Sequence, residues 1–299
     1  MRVFVTGGTG FIGQHVVAKL LNDNHKVALL IRRNTINSDE TGEQLTIING
    51  DLSKIDTWKN ELANFEPDAC IHLAWEGIPD YGYRYSIKNL FMSLNLFNIL
   101  VENSCKKIIT AGTCWEYNKK RGKIKENTNI NPKKPFIAAK HSIHVMGREL
   151  AKENDMDFIW TRFFYVYGPG QNEHSLIPYI INSIKSRKKP NIKTPYSRND
   201  FIYVEDLAKA LSDVLKKGKG TVIYNIGSGY STEIKDIIDM VYYYNNISKK
   251  YIPDIDIPKR SDLIDFYADI SLINKEISWK PHTTIKQGIK KTVEFMIDK

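Results

Sequence analysis

Glycines near the amino terminus stand at the spacing that a phosphate-binding turn needs. Gly7, Gly10 and Gly13 occur in the run GGTGFIG, directly after Arg2–Thr6, whose alternating β-branched and aromatic residues predict a strand. Glycines permit a tight turn, close approach of the backbone to a pyrophosphate, and close packing of a helix on the strand. An ordinary glycine turn is the alternative, but it does not account for a strand on one side and a helix on the other.

The residues after this turn predict the helix that would hold the phosphates. Residues 14–22 carry apolar side chains at helical spacing. Phe11 and Ile12 lie just before this helix, whose start would present backbone amides and the positive end of the helix dipole to an anion. We therefore predict that the glycines, Phe11 and Ile12 bind a dinucleotide.

A pair of arginines ends the next predicted strand. Lys26–Ile31 has the composition of a strand and is followed by Arg32 and Arg33. About 20 residues beyond the glycines, an acidic side chain would hydrogen-bond the ribose hydroxyls of NAD, whereas an arginine can hold the 2′-phosphate of NADP. Because a guanidinium makes forked, charge-assisted hydrogen bonds to phosphate, this pair favours NADP(H) over NAD. The alternative is that both arginines are surface residues on a loop.

Further strands alternate with helices along the first half of the chain. Strands are predicted at 45–48, 69–73 and 107–111. Alternation of strand and helix predicts an α/β fold with a doubly wound parallel sheet. Ligands bind such sheets at the carboxyl ends of the strands, so the turns there are the places to look for a site.

Two of these strand ends carry candidate cofactor contacts. Asp51 and Leu52 follow the third strand, and Leu73 and Ala74 end the fourth. His72 lies at the same edge, where it is either catalytic or a structural hydrogen-bonding residue; the second role is the commoner one for a histidine at a strand end.

Composition argues against several other classes of protein. The net charge of +9 is spread along the chain, and no nucleic-acid-binding motif accompanies it. No apolar run approaches the roughly 18 residues of a membrane-spanning helix, and the first residues enter a strand directly, so we expect no secretory signal. The cysteines (Cys70, Cys105, Cys114) have an odd count and no metal-ligand spacing. A reduced, cytoplasmic protein without a metal site is expected.

Short runs distributed along the chain resemble a single family, and they occur in that family's order. They are TGGTGFIG, NGDL, HLAW, ITAGTCWEY, PFIAAK, TRFFYVYGPGQ, NDFIYVEDLA, NIGSG and WKP, and they extend from Thr6 to about Pro281. Together they resemble the extended short-chain dehydrogenases/reductases, the epimerase, dehydratase and ketoreductase group that acts on nucleotide sugars.

This resemblance implies the organisation of the whole chain. A Rossmann-type NADP-binding domain is expected over residues 1–168, with a return of the chain to it around 199–226. A smaller, mixed α/β lobe over residues 169–299 would bind the nucleoside-diphosphate sugar. The helices predicted around 86–102 and 138–152 carry apolar stripes, and the resemblance implies a homodimer that pairs through them.

The family's catalytic residues are a Ser or Thr, a Tyr and a Lys, the last two arranged as Tyr-x-x-x-Lys. In this sequence Thr113 matches the hydroxyl residue and Lys140 the lysine, but the tyrosine position is Phe136. The resemblance implies that the lysine lowers the pKa of the phenol and binds the nicotinamide ribose, and that the tyrosine exchanges a proton with the sugar oxygen. A phenylalanine ring can neither donate nor accept that proton.

Three explanations of Phe136 remain open at this point. The residue can be an engineered Tyr→Phe substitution that traps a complex. It can be native to an enzyme in which water, Thr113 or another residue donates the proton. It can also mark a relative that binds NADP(H) without turnover.

The residues beside Thr113 bear on the reaction. Dehydratases of the family carry an acidic pair directly after the Ser or Thr, where this chain has Cys114 and Trp115. Dehydration is therefore disfavoured, and Cys114 is either an acid/base for epimerisation or an inert buried thiol. Because net reductases consume NADPH, the arginine pair favours a 4-ketoreductase acting on a nucleotide-linked 4-keto-6-deoxyhexose over a nucleotide-sugar 4-epimerase.

Candidate substrate contacts lie both near the reaction centre and in the C-terminal lobe. They are Thr113, Cys114, Trp115, His174, Arg198 and Arg260. His174 begins the substrate lobe in this resemblance, and the two arginines stand where relatives place cations near the substrate diphosphate. The alternative for each is an ordinary surface residue, and Arg260-Ser261-Asp262 is one residue shorter than the family's Arg-x-x-Asp.

Overall fold

The computed structural model describes residues 1–32, 43–118, 121–247 and 263–298. Two of the candidate residues, Arg33 and Arg260, lie outside these ranges. The strands are β1 (Arg2–Thr6), β2 (Lys26–Ile31), β3 (Leu45–Asn49), β4 (Ala69–His72), β5 (Lys107–Thr113), β6 (Arg121–Ile124), β7 (Asp157–Phe163), β8 (Tyr165–Tyr167), β9 (Arg198–Asn199), β10 (Phe201–Tyr203), β11 (Thr221–Ile226), β12 (Thr232–Glu233) and β13 (Asp265–Ala268). The α-helices are α1 (Phe11–Asn22), α2 (Lys59–Phe65), α3 (Tyr83–Glu102), α4 (Pro135–Glu153), α5 (Leu176–Lys185), α6 (Val204–Lys217), α7 (Ile234–Tyr244), α8 (Ser271–Ile277) and α9 (Ile285–Ile297). Short 3₁₀ helices span Leu52–Thr57 and Cys114–Glu116.

The larger sheet is parallel throughout and is covered by helices on both faces. Its strand order is β11-β7-β5-β4-β1-β2-β3. Successive side chains of β1 enter different cores, as alternation along a strand requires. Val3 and Val5 pack with residues of α1, α6 and α8, whereas Phe4 packs with residues of α2, α3 and α4. The doubly wound, Rossmann-type fold predicted from the sequence is confirmed.

The strand order places the binding crevice. β1 pairs with β2 on one side and with β4 on the other. The direction of winding reverses at this point, so the carboxyl ends of β1 and β4 open a crevice outside the sheet.

A smaller lobe lies at that crevice. It contains a sheet of order β12-β9-β13-β6 and the parallel pair β10-β8. Its own core joins α5, α7 and α9 through Ile180, Ile237 and Ile289, each fully buried.

The chain passes between the two lobes more than once. β11 and α8, from the second part of the chain, belong to the larger sheet and its helical layer, and β6, from the first part, belongs to the smaller sheet. The two lobes therefore exchange segments in both directions: β11, within the return predicted around 199–226, joins the larger sheet, and β6, from residues 1–168, joins the smaller one.

Each of the helices α3 and α4 exposes an apolar side chain at the outer surface. Phe91 of α3 is 60% exposed and Met146 of α4 is 55% exposed. Within the ranges that the structure describes, none of the helices combines the length and apolar character needed to cross a membrane.

Candidate active site

The turn between β1 and α1 leaves no room for a side chain at Gly7 or Gly13. Gly7 has φ +73°, and a Cβ there would lie 2.7 Å from the backbone nitrogen of Ala74. A Cβ on Gly13 would lie 2.1 Å from the Gly7 carbonyl oxygen. The turn therefore contacts both the end of β4 and the first turn of α1, which explains why glycine is needed at these two positions.

The first turn of α1 has the properties of an anion-binding site. Gly10 is the N-cap, no side chain caps the helix, and the first turn contains no acidic residue. The amides of Phe11, Ile12 and Gly13 are among those that a helix cannot satisfy internally, and they point along the positive end of the helix dipole. These features fit the pyrophosphate of a dinucleotide.

A cleft of about 600 Å³ opens along the carboxyl edge of the larger sheet. It brings together most of the candidate residues: Gly7, Gly10, Phe11, Ile12, Gly13, Arg32, Asp51, Leu52, Leu73, Ala74, Thr113, Cys114, Trp115, Phe136 and Lys140 all line it. Residues separated by more than a hundred positions in sequence thus share one wall, because the strands that carry them end at the same edge.

The end of the cleft near β2 carries charge of both signs. The Arg32 guanidinium is 63% exposed and lies 3.5 Å from the Glu76 carboxylate. Lys88 of α3 donates to the same carboxylate over 2.8 Å, so Glu76 is held mainly by Lys88. Arg32 thus keeps donors free to face the cleft.

His72 is a structural hydrogen-bonding residue. Its Nε2 lies 2.9 Å from the Ser93 hydroxyl, which donates onward to the Asn89 carbonyl. Nε2 must then be the protonated nitrogen, and Nδ1 accepts from the Thr6 hydroxyl over 2.7 Å. Burial, with a smaller contribution from the nearby Lys140 charge, lowers the pKa of His72 to about 3. The ring is therefore neutral and fixes the strand ends beneath the cleft.

Lys140 reaches the cleft from the first half of α4. Its side chain is buried, and Nζ donates to the Ala111 carbonyl oxygen over 2.7 Å and lies 4.2 Å from the centroid of the Trp75 ring. Burial lowers the pKa of Lys140 to about 7, and the charge of Glu116 opposes this shift. An ammonium held here can hydrogen-bond the hydroxyls of a nicotinamide ribose, so the residue fits the cofactor that the glycine turn predicts.

Phe136, one helical turn before Lys140, sits in an aromatic cluster. Its ring centroid lies 5.0 Å from that of Trp75, 4.9 Å from that of Tyr81 and 6.0 Å from that of Trp115, all in edge-to-face geometry. The ring is 7% exposed and lines the cleft. The position implied for the acid/base group is therefore on the cleft wall but carries no ionisable atom.

Thr113 is held by a buried polar network behind the cleft. Its hydroxyl accepts from the backbone N–H of Trp115, and its own N–H donates to Glu116 over 2.9 Å. Glu116 is fully buried and pairs with Arg162 at 2.8 Å. The same carboxylate accepts from the Trp160 indole over 3.0 Å. This pairing fixes the end of β5 and the 3₁₀ helix after it.

The two residues that follow Thr113 differ in accessibility. Cys114 is 3% exposed, and burial, together with the neighbouring carboxylates, raises the pKa of its thiol far above the usual range. The Trp115 indole donates to the Tyr165 hydroxyl over 3.3 Å, and burial raises the pKa of Tyr165 to about 12. Of the two readings of Cys114, the inert buried thiol agrees with this geometry.

Two candidate substrate residues do not line the cleft. His174 is exposed, and its backbone N–H donates to Asn172, which lines the cleft together with Gln171 and Ser175. Arg198 instead joins β9 to β12: its guanidinium contacts Glu233 at 3.3 Å and donates to the Ser231 carbonyl over 2.9 Å. The described residues contain no cluster of three or more His, Cys, Asp or Glu side chains placed to hold a metal ion.

Several residues at the cleft were not found by reasoning from the sequence. Tyr81 and Trp75 complete the aromatic cluster, and Tyr165 lines the cleft beside Trp115. Trp75 ends the run HLAW, where its place at a strand end was the available signal. Tyr81 follows in an irregular loop, and no local pattern marks it as a site residue.

Comparison with known proteins places this cleft in a family. The family model described as the NAD dependent epimerase/dehydratase family matches residues 3–227. A putative UDP-glucose 4-epimerase of Methanocaldococcus jannaschii is 26% identical, with 98% of each chain covered. The CDP-abequose synthase of Salmonella typhimurium is 27% identical over 98% of this chain and 97% of its own. The structure of a UDP-N-acetylglucosamine 4-epimerase from Methanobrevibacter ruminantium, in complex with UDP-N-acetylmuramic acid, matches with TM-score 0.84 and 29% identity over 99% of this chain and 98% of that one. The chain belongs to the NAD dependent epimerase/dehydratase family and is an NAD(P)-dependent enzyme of the extended short-chain dehydrogenase/reductase type.

Proposed function

We propose that the protein reduces the 4-keto group of a nucleotide-linked 4-keto-6-deoxyhexose at the expense of NADPH. When bound, the nicotinamide dinucleotide supplies the hydride. The observation that carries the proposal is the position of Arg32, whose guanidinium borders the β2 end of the cleft. An arginine there suits a 2′-phosphate, and NADPH is the cofactor that net reductases consume.

The walls near Thr113 argue against dehydration. Among the described residues that line the cleft, the carboxylates are Asp51 and Glu76. Asp51 follows β3, four strands from β5, which places it about 19 Å away at the usual strand spacing. Glu76 is engaged by Lys88, and Glu116 is tied to Arg162 behind the cleft wall. The described lining of the cleft thus offers no free carboxylate pair to remove a proton and expel water beside Thr113.

Replacing Arg32 tests the cofactor preference. We expect Arg32→Ala to raise the dissociation constant of NADPH about 10- to 100-fold and to leave that of NADH within about twofold, because a charge-assisted hydrogen bond contributes about 1.5–3 kcal/mol. Titration of cofactor fluorescence measures both constants. Arg187→Ala, at an exposed position after α5, serves as the matched control. Equal weakening of NADPH and NADH would contradict a contact with the 2′-phosphate.

A nucleotide-sugar 4-epimerase is the second candidate. It is favoured by two of the similar proteins reported above, which carry epimerase names. An epimerase returns its hydride to the sugar within one turnover, so it interconverts two sugars without a change in the cofactor pool. The two candidates therefore differ in a quantity that is simple to measure.

The deciding experiment follows NADPH absorbance against a panel of nucleotide-linked 4-keto-6-deoxy sugars, with product sugars identified by mass spectrometry. The native chain and Phe136→Tyr are run side by side. We expect one NADPH oxidised for each keto sugar reduced. Interconversion of two nucleotide sugars without loss of NADPH would replace the reductase by the epimerase.

The homodimer and the cytoplasmic location stay predictions. The exposed Phe91 and Met146 on α3 and α4 are compatible with pairing through those helices, since buried apolar side chains there would stabilise a two-fold contact.

A further inference from the structure

We infer that Tyr81 is the proton donor of this chain and takes the part that the Phe136 ring cannot perform. The inference rests on the proposed reduction and names the group that protonates the sugar oxygen. It follows from which groups line the cleft around Phe136 and from what each of them is already bonded to.

Tyr81 is in direct contact with the position that lacks a hydroxyl. Its ring centroid lies 4.9 Å from that of Phe136 and 5.2 Å from that of Trp115. All three rings line the cleft. A phenol on this ring can therefore act in the same space as a phenol at position 136, since the two rings touch.

The other proton-bearing groups of the cleft are each bonded within the protein or buried. The hydroxyl oxygens of Tyr165 and Thr113 each accept an N–H of Trp115, which ties them to that residue, and the Cys114 thiol is 3% exposed. Lys140 donates to the Ala111 carbonyl. Within the described parts of the chain, the structure gives the Tyr81 hydroxyl no hydrogen-bond partner. Of the two phenols that line the cleft, Tyr81 and Tyr165, Tyr81 is the one whose oxygen carries no hydrogen bond to the described protein.

The loop before α3 fixes the place of the Tyr81 ring. Gly77 has φ +96°, and a Cβ there would fall 2.3 Å from the Tyr85 ring, so the loop turns tightly against α3. The Gly82 N–H donates to the Asp80 carboxylate over 2.8 Å, and the Ser86 hydroxyl donates to the Gly82 carbonyl over 2.7 Å. Tyr81 is thus held between two bonded positions. It is a positioned group rather than the tip of an unrestrained loop.

The environment favours the protonated phenol. Burial raises the pKa of Tyr81, so the ring is neutral at pH 7 and carries the proton that a reduction requires. In the proposed step the carbonyl carbon of the sugar gains a hydride from the reduced nicotinamide. The carbon–oxygen π bond breaks, and the oxygen takes the proton of the Tyr81 hydroxyl. The phenolate regains a proton from water, which the half-buried ring can reach.

The test removes one oxygen atom and keeps the ring. We expect Tyr81→Phe to lower kcat about 10²- to 10⁴-fold, the range of general acid catalysis, with KM for the keto sugar and the calorimetric dissociation constants of NADPH and the sugar nucleotide within about twofold. Tyr83→Phe is the matched control, because Tyr83 is 72% exposed and does not line the cleft. It should behave as the native chain. A role in packing alone would leave kcat unchanged, and that result would overturn the inference.

Moving the hydroxyl gives a second, independent readout. The double variant Tyr81→Phe/Phe136→Tyr carries the phenol on the neighbouring ring and should recover at least a tenth of the native kcat. Full loss in Tyr165→Phe with full activity in Tyr81→Phe would assign the proton to Tyr165 and overturn the inference. An inactive native chain beside an active Phe136→Tyr would also overturn it, while leaving the proposed reduction in place. Inactivity of both would contradict the proposed function and the inference together.

Discussion

Replacing Lys140 with methionine is expected to lower kcat about 10²- to 10⁴-fold and, at the same time, to stabilise the ligand-free protein at neutral pH. Activity falls because the ammonium lines the cleft one helical turn from Phe136, where it can hold a cofactor hydroxyl and favour transfer of a proton. Stability rises because Lys140 is only 8% exposed and its charge has no carboxylate within hydrogen-bonding distance among the described residues. Methionine keeps the unbranched shape and removes the cost of burying a charge.

The lowered pKa of Lys140 determines how the stability difference between the native protein and Lys140→Met changes with pH. Burial lowers the pKa of Lys140 to about 7, against an ordinary value of 10.5. Below pH 7 both the folded and the unfolded chain bind the proton, so the destabilisation by Lys140 is fully present. Between about pH 7 and 10.5 only the unfolded chain keeps the Lys140 proton. The free energy of unfolding of the native protein therefore rises with pH in this range, compared with that of Lys140→Met.

Thermal or urea unfolding of native protein and Lys140→Met, at pH 6.5 and at pH 9.5, measures this difference. The stabilisation should be larger at the lower pH. Lys133→Met, at an exposed position just before α4, is the matched control and should show neither effect. A difference in unfolding free energy that does not change with pH would mean that Lys140 stays charged in the folded protein.

The second large effect concerns stability alone. We expect Glu116→Ala to lower the free energy of unfolding by about 3–5 kcal/mol, the usual cost of removing one partner of a buried ion pair. The exposed fractions of the Arg162 and Glu116 side chains are 2% and 0%, so the remaining guanidinium would be left uncompensated. The N–H groups of Thr113 and Trp160 would lose their acceptor as well.

Urea denaturation of a double-variant cycle separates the pair from its surroundings. Glu116→Leu/Arg162→Met replaces both charges with apolar groups of similar volume and should be more stable than Glu116→Leu or Arg162→Met alone, because no buried charge is left unpaired. Strictly additive losses would show that the two side chains contribute independently, and that the network around Thr113 does not depend on their pairing.

The sequence predicts the sheet well where its pattern is local. β1 and β2 were expected at the bounds that the structure has, since each is a short run between turn signals. The structure begins α1 at Phe11 rather than at residue 14, because the glycine turn already enters the helix. β7 and β11 were not located individually. Both lie at one end of the sheet; β7 is buried at six of its seven residues and β11 at the last three of its six, and neither run has the alternation that identifies a strand.

The site residues show the same distinction between local patterns, which the sequence reveals, and contacts between distant segments, which it does not. Positions set by a motif, such as Gly13 and Lys140, lie in the cleft as expected. Tyr81 and the Glu116–Arg162 pair escaped notice because they depend on contacts between distant segments, which no local spacing encodes. Arg198 does not line the cleft, and its use as a link between β9 and β12 follows from a strand pairing that the sequence does not reveal.

The exchange of segments between the lobes affects the order in which the chain can fold during its synthesis. β7 stays an edge strand until β11 pairs with it, and β8, α5, β9, β10 and α6 all lie between these two strands in sequence. The ribosome therefore synthesises much of the substrate lobe before β11 is available to pair with β7 and complete the larger sheet. A chain interrupted after α5 would leave the apolar strand β7 unpaired, where another chain could pair with it. We therefore expect truncated chains to aggregate more readily than full-length ones.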